Sequence, residues 1–327
     1  MKPLFNTPAL HPDFLNCPPT DYARVFSEFQ LKTVASVHEI ASTRPPAQSY
    51  SARVLRRFGK HRLAVIASWV LVALYAFAFL SPLFYRVSAE GIDLANQLAG
   101  SSLTHPLGTD ESGRDVLARL IEGGRVSLAV GTFAVVFSLI VGVMVGGLAG
   151  FYLGWVDAVL MRLTDGVLAI PAFFIVLCAL TFFTPTLLNI VLVIGLTSWM
   201  GLARLVRGEI LSIRQEVYIE AARALGARDA FLLLRHVLPQ VIPTMIVNAT
   251  LGVAAAILAE SALSFLGVGV QPPAASWGNM LSGAQNYLYN APHLAIYPGL
   301  LILLTVLAFN IVGDGLRDAT DPTIHRG

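Results

Sequence analysis

Gly108, Thr109, Asp110, Gly113, Arg114 and Asp115 fall within eight residues and set two carboxylates beside a guanidinium. Paired carboxylates are the groups of general acid-base catalysis or of a hard-cation site. No adjacent His, Cys or catalytic Ser pattern accompanies them, so the cluster reads as a structural element, with Thr109 or Asp110 as a helix cap. No catalytic residue and no metal ligand set is expected. Three more ionisable residues, Asp165, Glu260 and Asp314, interrupt long apolar runs. Charge buried in lipid costs several kcal/mol (roughly 3 at a helix centre) unless paired or wetted, so such residues are functional suspects. Asp165 follows Arg162 by three positions and can pair with it along a helix face. Glu260 has no charged neighbour in sequence; it either lines a translocation path or locks helices by hydrogen bonding. Asp165 and Glu260 are the two candidates for such a path. Asp314, with Arg317 and Asp318, suggests an exit turn held by local pairing.

The most informative polar segment is Tyr218-Ile-Glu-Ala-Ala-Arg-Ala-Leu-Gly226, followed by His236-Val-Leu-Pro239. It reads as helix, turn, helix: Glu220 to Leu225 helical, Gly226 the left-handed residue that ends the helix, Asp229 the cap of the next. Small Ala221 and Ala222 would let another protein approach closely.

Positioning these residues requires a membrane. Of the 327 residues 55% are hydrophobic and only 13% charged, about half the roughly 25% of soluble domains. No Asp, Glu, Lys or Arg occurs between Arg125 and Asp157, Asp165 and Arg204, Arg235 and Glu260, or Glu260 and Asp314. Each gap holds the roughly 20 apolar residues of a bilayer-spanning helix. Six spans result, at about 63–83, 128–152, 158–183, 187–206, 241–266 and 296–312. Eighteen Lys and Arg fall in the tails and even-numbered connections, against four on the other side. That bias puts both termini and loop 207–240 in the cytoplasm, with loops 84–125 and 267–293 outside. Trp277, with Tyr287 and Tyr289, suits the headgroup level. Gly142, Gly146, Gly150 and Gly154 make a small-residue stripe for close helix approach, either within the chain or between subunits.

Residues 1–50 form a cytoplasmic tail whose stretch 21–41 carries an apolar stripe at helical spacing after Thr20, a plausible cap; it is either a docked amphipathic helix or a disordered tail. Residues 51–323 form the transmembrane domain, and 324–327 a short C-terminal tail. Cys17 and Cys178 lie in unlike settings and imply no disulfide.

Glu220, Ala221, Ala222, Gly226, Leu238 and Pro239 match the EAA motif, Glu-Ala-Ala, three residues, Gly, then a later Leu-Pro, of the permease subunits of ATP-binding-cassette importers. The segment His105 to Arg119, with Ala262 to Gly269, Ser276-Trp-Gly278 and Asn310 to Asp318, is similar to the C-type permeases for dipeptides, oligopeptides and nickel. The resemblance covers about 51–322, and the first fifty residues look longer than the family shows. It implies an all-α integral membrane protein with the type I (MetI-like) ABC importer permease fold, multi-pass in the cell inner membrane. It implies as partners a second related permease, two ABC ATPase subunits, an extracytoplasmic substrate-binding protein and membrane lipid, with no nucleic acid. By the same resemblance Glu220 and its neighbours couple to the ATPase, and the Asp110 cluster is a structural element near the outer gate.

The only lysines are Lys2, Lys32 and Lys60, none in a Gly-x-x-x-x-Gly-Lys-[Ser/Thr] loop, so no cofactor is expected on this chain and ATP with Mg would be bound by the partner ATPases. The expected function is a pore-forming permease for di- or oligopeptides, itself no enzyme; the alternatives are a nickel-chelate or other small-solute importer, or an ATP-independent secondary transporter. A secondary transporter would show an ion-coupling site at mid-membrane and internal repeats, and no clear repeat is visible.

Overall fold

The computed structural model describes residues 50–184 and 186–321. The expected helix over 21–41, its cap Thr20, Cys17 and the tail 324–327 lie outside the described residues. The chain divides into two compact units, Met1–Arg53 and Val54–Gly327; of the first, only residues 50–53 are described, as the start of a short helix α1 (Tyr50–Phe58).

The second unit is all helical among the described residues apart from one isolated bridge between Thr109 and Asp115. Its long elements are α2 (Arg62–Leu80), α3 (Val116–Tyr152), α4 (Gly154–Leu168), α5 (Ala172–Phe182) and α6 (Leu187–Ile213). A polar stretch carries α7 (Val217–Ala224) and α8 (Asp229–Leu232); then follow α9 (Leu238–Phe265), α10 (Trp277–Ala284) and α11 (His293–Thr320). Among the described residues, five helical stretches are long and apolar enough to cross a membrane, Arg62–Leu83, Val116–Tyr152, Leu187–Ile213, Asp229–Phe265 and His293–Thr320, and the bent pair Gly154–Leu168 with Ala172–Phe182 makes a sixth when counted as one span.

The third apolar run is not one straight span. It breaks into α4 and α5, bent by 82° at residues 169–171. Pro171 has no N–H to give an uninterrupted helix and disfavours the helical region for Ile170 before it. Pro171 itself becomes the cap of α5.

Elsewhere the helices outrun the apolar stretches, because charge ends a hydrophobic run without ending a helix. α3 begins at Val116 rather than near 128 and has 37 residues, about 55 Å of helix against a bilayer core of about 30 Å. The loop before it therefore closes at Asp115, ten residues earlier than Arg125. α6 continues past 206 to Ile213, so the polar loop starts near Arg214 rather than Arg207. α11 runs through Asp314 to Thr320, so Asp314 stands inside a helix and not at an exit turn; Asp318 lies 3.9 Å from His61 instead.

α3 and α6 form the most extensive helix pair, followed by α9 with α11 and α9 with α3. The glycine stripe makes the first contact, within the chain. A Cβ on Gly146 would stand 2.3 Å from the Ala203 carbonyl oxygen, and one on Gly150 2.9 Å from that of Arg207. Gly142 faces Trp199 and Leu202 in the same way. Two backbones in contact leave no room for a side chain. Gly154 does not share this role: it has open space and turns the chain between α3 and α4 at φ +59°.

Candidate functional site

At the C-terminal end of α3 sits α7, the helix of the Glu-Ala-Ala segment. It ends in a Schellman arrangement: the Ala227 N–H donates to the Ala222 carbonyl at 3.1 Å and the Gly226 N–H to the Arg223 carbonyl at 3.0 Å. Gly226 has φ +87°, a region that costs any other L-residue about 1–2 kcal/mol. The helix starts at Val217, three residues before Glu220, and the next one is not capped by Asp229: Arg228 occupies the cap position and Asp229 the first turn.

Ile219, fully buried, plugs α7 into a cluster with Phe151 of α3, Val206 and Ile210 of α6, Leu232, and Val241 of α9. Polar contacts reach the same elements. Gln240 Nε2 donates to Tyr218 Oη, Arg214 Nη1 donates to the Phe151 carbonyl at 3.0 Å, and Arg223 lies 5.9 Å over the Phe151 ring and 3.7 Å from Asp229. α7 is thereby fastened to the ends of α3, α6 and α9 at once. Its other face is bare: Glu220, Ala221 and Gly226 are exposed, Ala222 half-buried, and Val217 and Leu225 are 79% and 89% exposed. Exposed apolar side chains on an otherwise fastened helix mark a surface for another protein.

Leu238-Pro239 opens α9, and the turn before it, Leu233–Val237, is a π-helix in which the Leu238 N–H reaches back to the Leu233 carbonyl. Proline at 239 would collide with the carbonyl four residues earlier in a regular helix. Widening the turn removes that collision and makes a joint between the α7 segment and the span. π turns of this kind recur at functional sites, and no sequence period announces one.

At the N-terminal end of α3, the other end of the bundle, the Asp110 cluster closes a compact loop. Gly108 and Gly113 turn it at φ +79° and +75°, and Thr109, fully buried, donates its hydroxyl to the Asn96 carbonyl at 2.5 Å. The cap of α3 is Asp115, not Thr109 or Asp110: its Oδ1 accepts from the Ala118 N–H at 2.7 Å. Its Oδ2 takes hydrogen bonds from Tyr85 at 2.9 Å and His105 at 2.8 Å. Burial, and then the Asp115 carboxylate, push the Tyr85 phenol up to about 12. Asp110 Oδ1 accepts from the amides of Ser112 and Arg114, and its Oδ2 from Arg114 Nε at 2.7 Å. Both carboxylates are thus occupied in shaping the loop.

The two intramembrane candidates part ways. Glu260 has no exposed surface: Ser127 of α3 and Ser264 of α9 donate to its two oxygens at 2.9 and 2.7 Å, and the Trp277 N–H donates to Ser127 at 3.3 Å. It ties α3, α9 and the start of α10 together. Asp165 pairs with Arg204 of α6 and not with Arg162, and its side chain is half exposed. Beside it Asp157 takes a two-pronged contact from Arg207 at 2.5 and 2.6 Å, so α4 is held to α6 by two ion pairs. Trp277, expected at the headgroups, is fully buried against Gly123 and Gly124 and donates to the Leu120 carbonyl at 3.0 Å.

Residues 142–326 match the family described as binding-protein-dependent transport system inner membrane component, and residues 49–101 match the N-terminal TM domain of oligopeptide transport permease C. The Glutathione transport system permease protein GsiD of Pectobacterium atrosepticum is 40% identical over 270 residues, 82% of this chain and 90% of the relative. The Dipeptide transport system permease protein DppC of Alkalihalophilus pseudofirmus is 38% identical over 283 residues, 85% and 93% of the two chains. Among solved structures, a chain of the MetNI methionine ABC transporter in an inward-facing conformation superposes with TM-score 0.53 at 19% identity, covering 62% of this chain and 97% of that one. At that identity the likeness is one of fold.

Proposed function

This chain belongs to the family of binding-protein-dependent transport system inner membrane components, and from that premise we propose that it supplies half of a peptide translocation path, driven through α7 by a separate ATPase. The observation that carries the reading is α7 itself, a capped helix fastened to three spans on one face and bare on the other. A partner that moved α7 would move the ends of α3, α6 and α9 together, which is what a change between inward-open and outward-open states requires. In this reading Glu220, Ala221, Ala222 and Gly226 form the surface that enters the ATPase, and Leu238-Pro239, on its π turn, form the joint. Both termini and α7 then face the cytoplasm, and the Asp110 loop faces outward.

The complete importer has this chain, a second related permease, two ATPases that bind ATP and Mg, and an extracytoplasmic binding protein. This chain binds no cofactor and catalyses no reaction. Peptides are the proposed cargo, supported by relatives named for a dipeptide and for glutathione, itself a short peptide. The test is uptake of a labelled dipeptide by proteoliposomes that carry the assembled importer, the binding protein outside and ATP at the ATPases. Accumulation is expected with ATP and not with a non-hydrolysable analogue. Uptake without ATP would reject ATP-driven transport in favour of a secondary transporter, and ATP-driven uptake of a nickel chelate but no peptide would reject the cargo.

A further inference from the structure

A cavity of about 250 Å³ opens beside the N-terminal end of α3, between it, α10 and the turn after α9. Its mouth carries exposed Gly267, Gln271 and Pro272, and Val116, Arg119 and Met280 on its wall are buried. Four charged residues line it: Asp110, Glu111, Arg114 and Arg119.

Their hydrogen bonds do not close evenly. Arg114 gives Nε to Asp110 at 2.7 Å and Nη2 to Glu111 at 2.9 Å, so one guanidinium serves two carboxylates. Arg119, only 6% exposed, has its nearest carboxylate oxygen 3.4 Å from Nε, and that oxygen, Asp110 Oδ2, is the one Arg114 already holds. The Nη1 of Arg119 is buried with no hydrogen-bond partner among the described residues. A guanidinium has five N–H donors, and burying it so incompletely paired is costly. The neutral amides at the mouth do not complete it: Gln271 donates to Gly267 and Gly269, and Asn279 to Val270 and Ala274.

We propose that this cavity is a binding site for a single carboxylate group, anchored by the Arg119 guanidinium. A carboxylate is the guest that accepts charge-assisted hydrogen bonds from a guanidinium. Asp110 and Glu111 on the same wall repel a dianion such as phosphate about twice as strongly as a monoanion, which favours the monoanion of the two. Glu111 would face any ammonium carried alongside it. The carboxylate can come from the C-terminus of a transported peptide or from an acidic side chain of the binding protein. Those two sources rest on the function proposed above; the site does not.

The test follows hydrogen-deuterium exchange over residues 264–284 in the assembled complex in nanodiscs, titrated with propionate and, as control, propionamide. Propionate is expected to slow exchange there and propionamide to leave it unchanged. Arg119→Gln is expected to weaken the propionate response about tenfold or more, the scale of a charged hydrogen bond. If Arg119→Gln fails to assemble, Gly283→Leu carries the test, since a Cβ at 283 meets only the Glu111 carboxylate, at 3.7 and 4.0 Å, and the longer side chain fills the cavity. An equal response to propionamide, or a propionate response that survives either assembled variant, would overturn the site. Protection by a dipeptide acid but not its C-terminal amide identifies the peptide as the source. Protection by peptide-free binding protein identifies the acidic side chain. A propionate response with neither upholds the site and counts against its taking part in transport.

Discussion

Glu220→Arg combined with Gly226→Pro is expected to abolish ATP-driven uptake, by about a hundredfold or more, in a complex that still assembles in the membrane and still hydrolyses ATP. Each change acts on a different part of α7. Glu220 stands on the bare face, so reversing its charge leaves the chain's own packing untouched and alters only what the partner meets. A like-charge contact placed in a protein interface costs several kcal/mol, which is about a hundredfold or more in an equilibrium constant. Gly226 holds φ +87°, whereas proline is locked near −65° and has no N–H to give the Arg223 carbonyl, so the Schellman end of α7 is lost. Ile219 remains in its cluster and keeps the damaged helix on the bundle. The readout is the ratio of peptide transported to ATP hydrolysed, with assembly followed by co-purification. Unchanged coupling in an assembled complex would dismiss α7 as the lever.

Glu260→Ala is expected to cost about 3 kcal/mol or more of stability and to lower the yield of folded complex sharply. Glu260→Gln should assemble and transport peptide at close to the unmodified rate. Alanine removes the acceptor of two serine hydroxyls in a site with no access to solvent, and each buried group left unsatisfied costs about 1–3 kcal/mol. The cavity left by the side chain adds to that. Glutamine keeps the shape and one oxygen acceptor, removes the charge, and sets an amide NH2 against the other serine hydroxyl, which can turn to accept from it. The comparison separates the two roles that the sequence leaves open for this residue. A carboxylate that held a peptide's amino group would lose transport in the glutamine form with assembly intact, and that outcome would contradict the helix-locking role. Thermal unfolding of the purified complex, paired with uptake per assembled complex, reads both.

The features legible in the sequence are those set by neighbours along the chain. The left-handed end of α7 follows from Gly226 in its local setting, and the apolar runs follow from the bilayer's demand for length. The partner of Asp165 was not legible, because Arg162 is three residues away while Arg204 is thirty-nine, and only the packing of α4 on α6 chooses between them. The burial of Trp277 depends on Gly123 and Gly124, some 150 residues earlier, and no pattern near the tryptophan carries that information. Helix ends were misplaced wherever hydropathy stood in for capping: the apolar run begins near Leu128, but Asp115 starts α3, with Arg119, Glu122 and Arg125 inside the helix. The break at Pro171 did have a signal in the Ile170-Pro171 pair, and an otherwise continuous apolar run concealed it. The unfinished hydrogen bonds of Arg119 had no sequence signal, since they exist only once Arg114 has taken Asp110.

The most direct measurement is to purify the tagged chain from its native membrane in mild detergent, identify its companions by mass spectrometry and assay their ATP hydrolysis with and without a peptide-loaded binding protein. A second permease and an ABC ATPase are expected to come with it, with hydrolysis stimulated by the loaded binding protein. A chain that stayed alone even after cross-linking, yet carried solute into liposomes without ATP, would contradict the role of an ATP-driven permease half.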